Sequence, residues 1–585
     1  TNFDLFLNPY GSAFPKAAFA SISGFLLGGG GWVNLGGVPF SIPVHKTQDG
    51  WAQETPQTAY HKQLGITQAF PVSTGEVASY QPNPGLEWTR GLSGEFTSGK
   101  VYELYVRFTS IKDFPAEDGS AGPRDAVLTP LIHGLDRDQR RIVAPIVEIE
   151  RFQGDYSGGC WVLANFEGTI SAKAIRLLVQ RAARGAIQLT VRPSFASYFP
   201  GELPSFNVQF RRPKGNVESL IDGECRIEIV DERQQTLKRI DVALHGTGTI
   251  ADGVANAVKI ERLKPGLHQV NASLKLHSDF SPVIRYKTGF WIFDESLLKG
   301  GKPLTSGKRS LLRDGEPFPV TGTTYMSSDV HRKFLFEPNP LLWNRDFTEM
   351  KAAGVNMVRT GLWTGWKQYM PDVGAPAEGP MRAMDAFVLT ARKFEMPIIV
   401  TLFAFLPESW GGANPYLDPR SVNAQKEFVT AFARRYRDAK EIVWDLINEP
   451  SFCNPQYLWQ CRPNYDRYES EAWQAWLNKR YPPLADQTSA ARIQEAYRTT
   501  TDEAATLPAK DDFDDVNIFG VRRPVKVIDY RLFAQDMFAR WVSEMTAAIR
   551  SAQGSGDGPA LHQLITVGQD EGGTWTRPAQ QLYYD

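Results

Sequence analysis

The sequence predicts a multidomain fold: two amino-terminal β-sandwich domains followed by an (α/β)8 TIM barrel, incomplete in this chain. Three observations predict it. Period-two alternation of apolar and polar residues recurs through the first half of the chain. Past a Gly/Pro-bearing stretch near residue 300, apolar runs alternate with helical patterns instead. At 585 residues and 65.4 kDa, the chain also exceeds what one core organises, and roughly three or four domains is the prior.

The first domain is expected over residues 1–200, as a jelly-roll-like sandwich. In residues 101–110, Leu104, Val106 and Phe108 alternate with Glu103, Tyr105 and Arg107, and Ile187, Leu189 and Val191 alternate with Gln188, Thr190 and Arg192. Such patterns suit antiparallel strands with one solvated face. The run Gly28 to Gly31 has no following Gly-Lys-Ser/Thr, so it reads as a turn and not a phosphate cradle. Trp32, Trp51 and Trp88 are either core residues or sugar-stacking platforms. The second domain, 201–298, alternates Ile227 and Ile229 with Arg226 and Glu228, and its turns at 246–253 and Pro265-Gly266 suit an immunoglobulin-like sandwich. Residues 299–314, with Gly300-Gly301-Lys302-Pro303, form a linker.

Residues 315–585 are expected to hold strands one to five of the barrel. Strands are predicted at 320–326, 355–363, 397–405, 441–448 and 564–568. Helices are predicted at 341–353, closed by Gly354, at 381–394, and at 422–436. Phe533, Met537, Trp541, Met545 and Ile549 make an i, i+4 stripe that packs a later helix on the barrel. The polar insertion 482–526 contains Asp511-Asp512-Phe513-Asp514-Asp515, which lacks the glycine and closing glutamate of a calcium loop and reads as a solvated or lid-like surface.

A formal net charge of −1 gives no basic surplus for nucleic acid or an anionic membrane. No apolar run approaches the roughly eighteen residues of a membrane span. The chain opens at Thr1 without an apolar signal core and reads as a mature or trimmed product. A periplasmic or secreted setting is expected, with the cytoplasm left open. Cys453 and Cys461 could staple their loop in an oxidising compartment. No Cys/His set supplies a zinc site, and neither metal nor cofactor is expected.

The chemistry concentrates at Glu441-Ile-Val-Trp-Asp-Leu-Ile-Asn448-Glu449-Pro450. A buried apolar strand stops at an amide and a carboxylate, and Pro450 forbids further ladder pairing. Carboxyl ends of parallel strands are where α/β barrels place reacting groups. Glu449 there can donate a proton, and Asn448 can hydrogen-bond a hydroxyl beside it. Arg359, ending strand two, could hold a carboxylate bidentately in the same mouth.

On Asn448-Glu449, Arg359 and the preceding sandwich domains, the chain resembles the clan A glycoside hydrolases, over about residues 315–585. The resemblance implies a retaining enzyme with Glu449 as acid/base, Asn448 on the sugar 2-hydroxyl and a nucleophilic Glu at the end of strand seven. Leu417-Asp418-Pro419-Arg420 and the stretch from Trp473 to Tyr481 resemble the small β-galactosidases, whereas Asn-Glu-Pro is more typical of cellulase- and mannanase-like members. A β-galactosidase-like exo-enzyme on β-linked hexosides is therefore expected. The alternatives are an endo-β-mannanase or glucanase and a non-catalytic carbohydrate-binding protein. Tyr325, Trp363, Glu408 and Trp410 at strand ends, and Trp459 in the loop after Glu449, are the expected substrate contacts. Glu571 follows strand five, so the nucleophile is expected beyond this chain, in a carboxyl-terminal part of the barrel that could be a separate chain. Glu571 is the second choice.

Overall fold

A computed structural model of the chain describes residues 3–106, 125–214, 220–261, 263–277, 283–363, 365–458, 462–513, 524–554 and 562–567. It divides into two compact units. The first comprises Thr1–Ser194, Leu203–Leu263 and Gln269–Thr288, and the second comprises Phe195–Glu202, Lys264–His268 and Gly289–Asp585.

The first unit is β-rich. Its six-stranded sheet runs, edge to edge, Leu5–Asn8, Gly31–Leu35, Cys160–Ala164, Arg141–Arg151, Ala126–Leu135 and Ser79–Pro82. The first two pairings are parallel and the rest antiparallel, so the sheet is mixed where antiparallel pairing was expected. The helix Ala172–Ala183 covers it, with Ala174, Leu178 and Ala182 buried at i, i+4 and i+8 and Ser171 capping the N–H of Ala174. The predicted strand at 101–110 is the end of Phe96–Val106, and positions 107–110 lie outside the described residues. The glycine run is a turn: Gly29 has φ 78°, and a Cβ on Gly31 would come 2.6 Å from the Ala182 carbonyl oxygen.

Six strands between residues 188 and 276 follow one another in a single hydrogen-bonded sheet. The order is Gln188–Pro193, Phe206–Arg211, Ile250–Ala255, Thr236–Thr247, Leu220–Val230 and Gly266–Leu276. Gln188–Pro193 joins this sheet through Phe206–Arg211, with Val191 opposite Val208.

The second unit carries the candidate site on a five-stranded, wholly parallel sheet in chain order: β1 (Gly322–Thr324), β2 (Met357–Gly361), β3 (Ile398–Ala404), β4 (Ile442–Asn448) and β5 (Ile565–Thr566). The helices are α1 (Pro340–Ala352), α2 (Glu378–Lys393), α3 (Pro419–Arg435), α4 (Arg467–Arg480) and α5 (Pro524–Gln553). Starts and stops follow local chemistry. Asn339 caps α1, with Pro340 in its first turn and Gly354 at φ 85° past its end. Asp418 caps α3 ahead of Pro419. The predicted stripe lies on α5, where Phe533, Trp541, Met545 and Ile549 are buried and the Trp541 indole donates to Gln425 Oε1 of α3 at 2.7 Å. In the acidic run Asp511 is exposed and Asp512 is buried, accepting from the N–H of Ala509, while Asp514 and Asp515 lie outside the described residues.

The start of β4 is fixed by charge. Glu441, fully buried, accepts from Arg313 Nε at 2.7 Å and from the N–H of Lys302 at 3.2 Å, and it also pairs with Arg392. At the far edge, Gln563 accepts from the Trp444 indole at 2.6 Å and donates to the carbonyls of Tyr436 and Ala439. This latches β5 onto β4. Among the described residues, no helix is long and apolar enough to cross a membrane.

Candidate active site

Side chains on β4 alternate between two environments. Trp444 turns towards Tyr436 and Gln563, while Asp445 turns to the opposite face, 1% exposed. A carboxylate so deeply buried needs partners. Asp445 Oδ2 accepts from Arg359 Nη2 at 2.6 Å, Arg359 Nε at 3.1 Å and Thr401 Oγ1 at 2.7 Å. Three adjacent strands thus converge on one oxygen. Arg359 does hold a carboxylate, through two nitrogens on a single oxygen instead of a parallel fork.

Arg359 Nη2 also donates 2.9 Å to Asn448 Oδ1. Strand alternation separates Asn448 from Asp445, so this contact is made where the strand ends. With Oδ1 committed, the Asn448 amide presents its N–H groups as donors, the polarity needed to address a sugar hydroxyl. Glu449 then leaves the strand at φ 48°, a left-handed conformation that a non-glycine residue adopts at a cost of about 1–3 kcal/mol. The neighbouring strand does the same at Phe405, with φ 61°. The two ends are stitched together: Phe405 N–H donates to Asn448 O, and Ser451 N–H donates to Phe405 O, each at 2.8 Å. The strained Glu449 backbone is held by a latch on both sides.

Trp363 lies just past β2, 5% exposed, with the guanidinium carbons of Arg359 and Arg332 at 5.3 and 5.9 Å from its ring centroid. Burial pushes the Arg332 guanidinium down from its ordinary value, and the charge of Glu449 opposes that shift. Arg332, Trp363, Arg359, Asn448 and Glu449 therefore form one connected group.

The other expected contacts are arranged differently. Tyr325 is turned into the helix layer: its hydroxyl donates to Asp346 Oδ2 at 2.9 Å, and its ring packs on Phe334, Phe347 and Phe387. Burial and the Asp346 charge hold its phenol well above the usual range. Trp410 is likewise occupied, donating to Met370 O at 2.9 Å with its ring 5.4 Å from Phe428 of α3. Glu408 closes a turn by accepting from the N–H groups of Ser409 and Trp410, with Lys367 Nζ 3.5 Å away. These three have structural partners that account for them. Trp459, Cys461 and Glu571 lie outside the described residues. Cys453 is buried, with Ser451 Oγ 3.1 Å from its sulfur.

The galactosidase-like stretches are structural here. The Arg420 guanidinium and the N–H groups of Ala413 and Arg420 hold the Asp418 carboxyl well below the usual carboxylate range. Trp473 and Trp476 stack at 5.5 Å, their indoles donating to Thr506 O and Asp536. In the first unit, Trp32 is fully buried against Trp161 and Phe40, whereas Trp51 is 63% exposed. Among the described residues, no group of His, Cys, Asp and Glu could hold a metal ion.

Sequence reading missed Asp445, Thr401 and Arg332. Asp445 carried a usable signal, since a lone charge within an apolar strand must be paired. Arg332 carried none, because its loop has no periodicity.

Residues 313–480 match the cellulase family model, glycosyl hydrolase family 5. No curated protein matches the chain. Among solved structures, the β-glucuronidase of Bacteroides uniformis shares 10% identity at a TM-score of 0.23, covering 65% of this chain and 33% of its own. A family GH5_18 protein from Streptomyces cattleya in complex with GlcNAc shares 14% identity at a TM-score of 0.24, covering 43% of this chain and 44% of its own. The β-glucuronidase of Bifidobacterium dentium shares 13% identity at 0.24, covering 68% and 46%. The chain thus spans about a third of the length of the first of these, and all three are too distant to bear on the site. The family match, by contrast, spans Arg359, Asp445, Asn448 and Glu449 together. Over residues 313–480, the chain thus carries a segment that matches a glycosyl hydrolase family, in line with the resemblance to clan A.

Proposed function

We propose that the chain is a retaining β-glycoside hydrolase in which Glu449 is the general acid/base. One observation carries the reading: a carboxylate in a strained conformation at a strand end, beside an amide whose acceptor side is locked by an Arg359–Asp445 pair. In that role Glu449 protonates the leaving oxygen, then as carboxylate draws a proton from the incoming water. Asn448 donates to the sugar hydroxyl nearest the reacting carbon, and Arg359 keeps it turned that way. Asp445 and Thr401 act on Arg359 and touch no substrate.

The five parallel strands are taken as the first five of an (α/β)8 barrel. The attacking carboxylate comes from a later strand, about 5–5.5 Å from Glu449 in the complete site. Trapping with a fluorinated glycoside and mapping the labelled peptide identifies that residue, with Glu571 the second choice. A β-galactosidase-like exo-activity is the first reading for substrate. The match to the cellulase model favours a second, an endo-glucanase or mannanase. Aryl β-glycosides tested beside polymeric β-glucan and β-mannan separate the two. Release of the β-anomer first supports retention, and the α-anomer first contradicts it. Sugar binding without turnover of any substrate would leave a carbohydrate-binding protein.

A further inference from the structure

Arg332 is a half-buried cation, and no described carboxylate pairs with it. Its Nε is buried without an acceptor, as is the indole N–H of Trp363, against whose ring Arg332 lies. Arg359, on the same ring, differs because Asp445 and Asn448 occupy its donors. Two donors on adjoining side chains, one of them charged, thus lie buried without an acceptor, and the charged one feels Glu449. Buried donors are costly to leave unmade, and a buried charge more so.

The cost rises during the reaction. While Glu449 is ionised, its charge offsets that of Arg332. As general acid it must be neutral, which withdraws that compensation from Arg332. A substrate that brings its own negative charge removes this penalty in the state that reacts. A planar guanidinium beside an indole N–H suits a planar carboxylate.

We propose that Arg332 and the Trp363 indole N–H receive the carboxylate of a hexuronic acid unit, making the preferred substrate a β-hexuronide. This rests on the glycosidase reading and names its substrate class. Arg332 is then a specificity-determining residue that touches the sugar. No bond is made or broken at it, and Glu449 retains both proton transfers.

The test compares aryl β-D-galacturonide and β-D-glucuronide with the matching neutral hexosides, for wild type, Arg332→Gln, Arg332→Lys and Trp363→Phe. Wild type should favour a hexuronide. The hexuronide-to-hexoside ratio of kcat/KM should fall roughly ten- to a hundredfold in Arg332→Gln, the range of a lost charge-assisted hydrogen bond. Arg332→Lys should recover part of it, and Trp363→Phe should lower it severalfold through KM. An equal loss on both substrate classes would assign Arg332 to Glu449 or to the fold and overturn the proposal. Calorimetry with free D-galacturonate and D-glucuronate, against galactose and glucose, is read in parallel. If wild type turns over no glycoside, the catalytic reading fails. Hexuronate binding weakened tenfold or more in Arg332→Gln would still uphold the anion site, and equal binding by both proteins would remove it.

Discussion

Two glutamates flank β4, one in a buried ion-pair cluster and one at the end where the proposed chemistry lies. Glu441, before β4, is fully buried among Arg313, Arg392 and the Lys302 N–H. Glu449, after it, is half-buried at a strained turn. In α/β barrels generally, the amino-terminal ends of strands serve stability and the carboxyl-terminal ends serve chemistry, the division that the proposed reading expects of β4. Removing one partner of a buried ion pair strands the other charge, at about 3–5 kcal/mol. Glu441→Ala should therefore lower unfolding stability in urea by about that amount, with KM of the folded fraction unchanged. Asp445→Asn should behave differently, because Arg359 also aims Asn448. We expect a stability loss of about 2–4 kcal/mol together with a fall in kcat, read by denaturation and steady-state kinetics on one preparation. Stability loss with unaltered kcat would reduce Asp445 to a structural role. Tyr325→Phe should cost about 1–2 kcal/mol through the lost hydrogen bond to Asp346, which keeps Ser328 and Arg345, and leave KM alone. A changed KM would return Tyr325 to the substrate contacts.

At the scale of elements, the strands and helices of the second unit were legible because their periods are clean and their stops are chemical. Gly354 ends α1, Asp418-Pro419 opens α3 and Pro450 ends the β4 run. The first unit was less legible. Its covering helix Ala172–Ala183 has a three-residue stripe of mostly small side chains, Ala174, Leu178 and Ala182, too faint to stand out beside strong strand alternation. Parallel pairing of Leu5–Asn8 with Gly31–Leu35 also leaves no mark in the alternation itself. Strand-end aromatics are hard to assign for a related reason: Tyr325 donates to Asp346 of α1 and Trp410 to the Met370 carbonyl, partners that no alternation pattern announces. The fifth strand supplies its own test. Gln563 joins Trp444, Tyr436 and Ala439, so Gln563→Ala should cost about 2 kcal/mol. Hydrogen exchange should then speed at β4 before α2. Unchanged exchange at β4 would mean that β5 contributes nothing to holding that strand.

For the whole molecule, buried acids set the response to pH. Glu469 on α4 is 1% exposed, and burial pushes its carboxyl up to about 7, against the opposing hydrogen bonds from Tyr530 and the N–H groups of Tyr465 and Asn464. With the folded value above the unfolded one, the native state binds more protons between them. That stability is fully present below the unfolded value and is lost as pH rises through about 7. Urea midpoints should fall between pH 5 and 8, and the fall should flatten in Glu469→Gln, whatever that variant's starting stability. An equal slope in both would show that the Glu469 carboxyl does not govern it. The central claim, that Glu449 is the general acid/base, is tested most directly by leaving-group dependence. Glu449→Gln should be assayed on aryl β-glycosides from dinitrophenyl to unactivated phenyl. Loss of proton donation should cost about 10²–10⁴-fold in kcat/KM on the phenyl glycoside and far less on the dinitrophenyl glycoside, whose departure needs no proton. Wild-type rates on the phenyl glycoside, or an equal loss on both, would contradict the assignment.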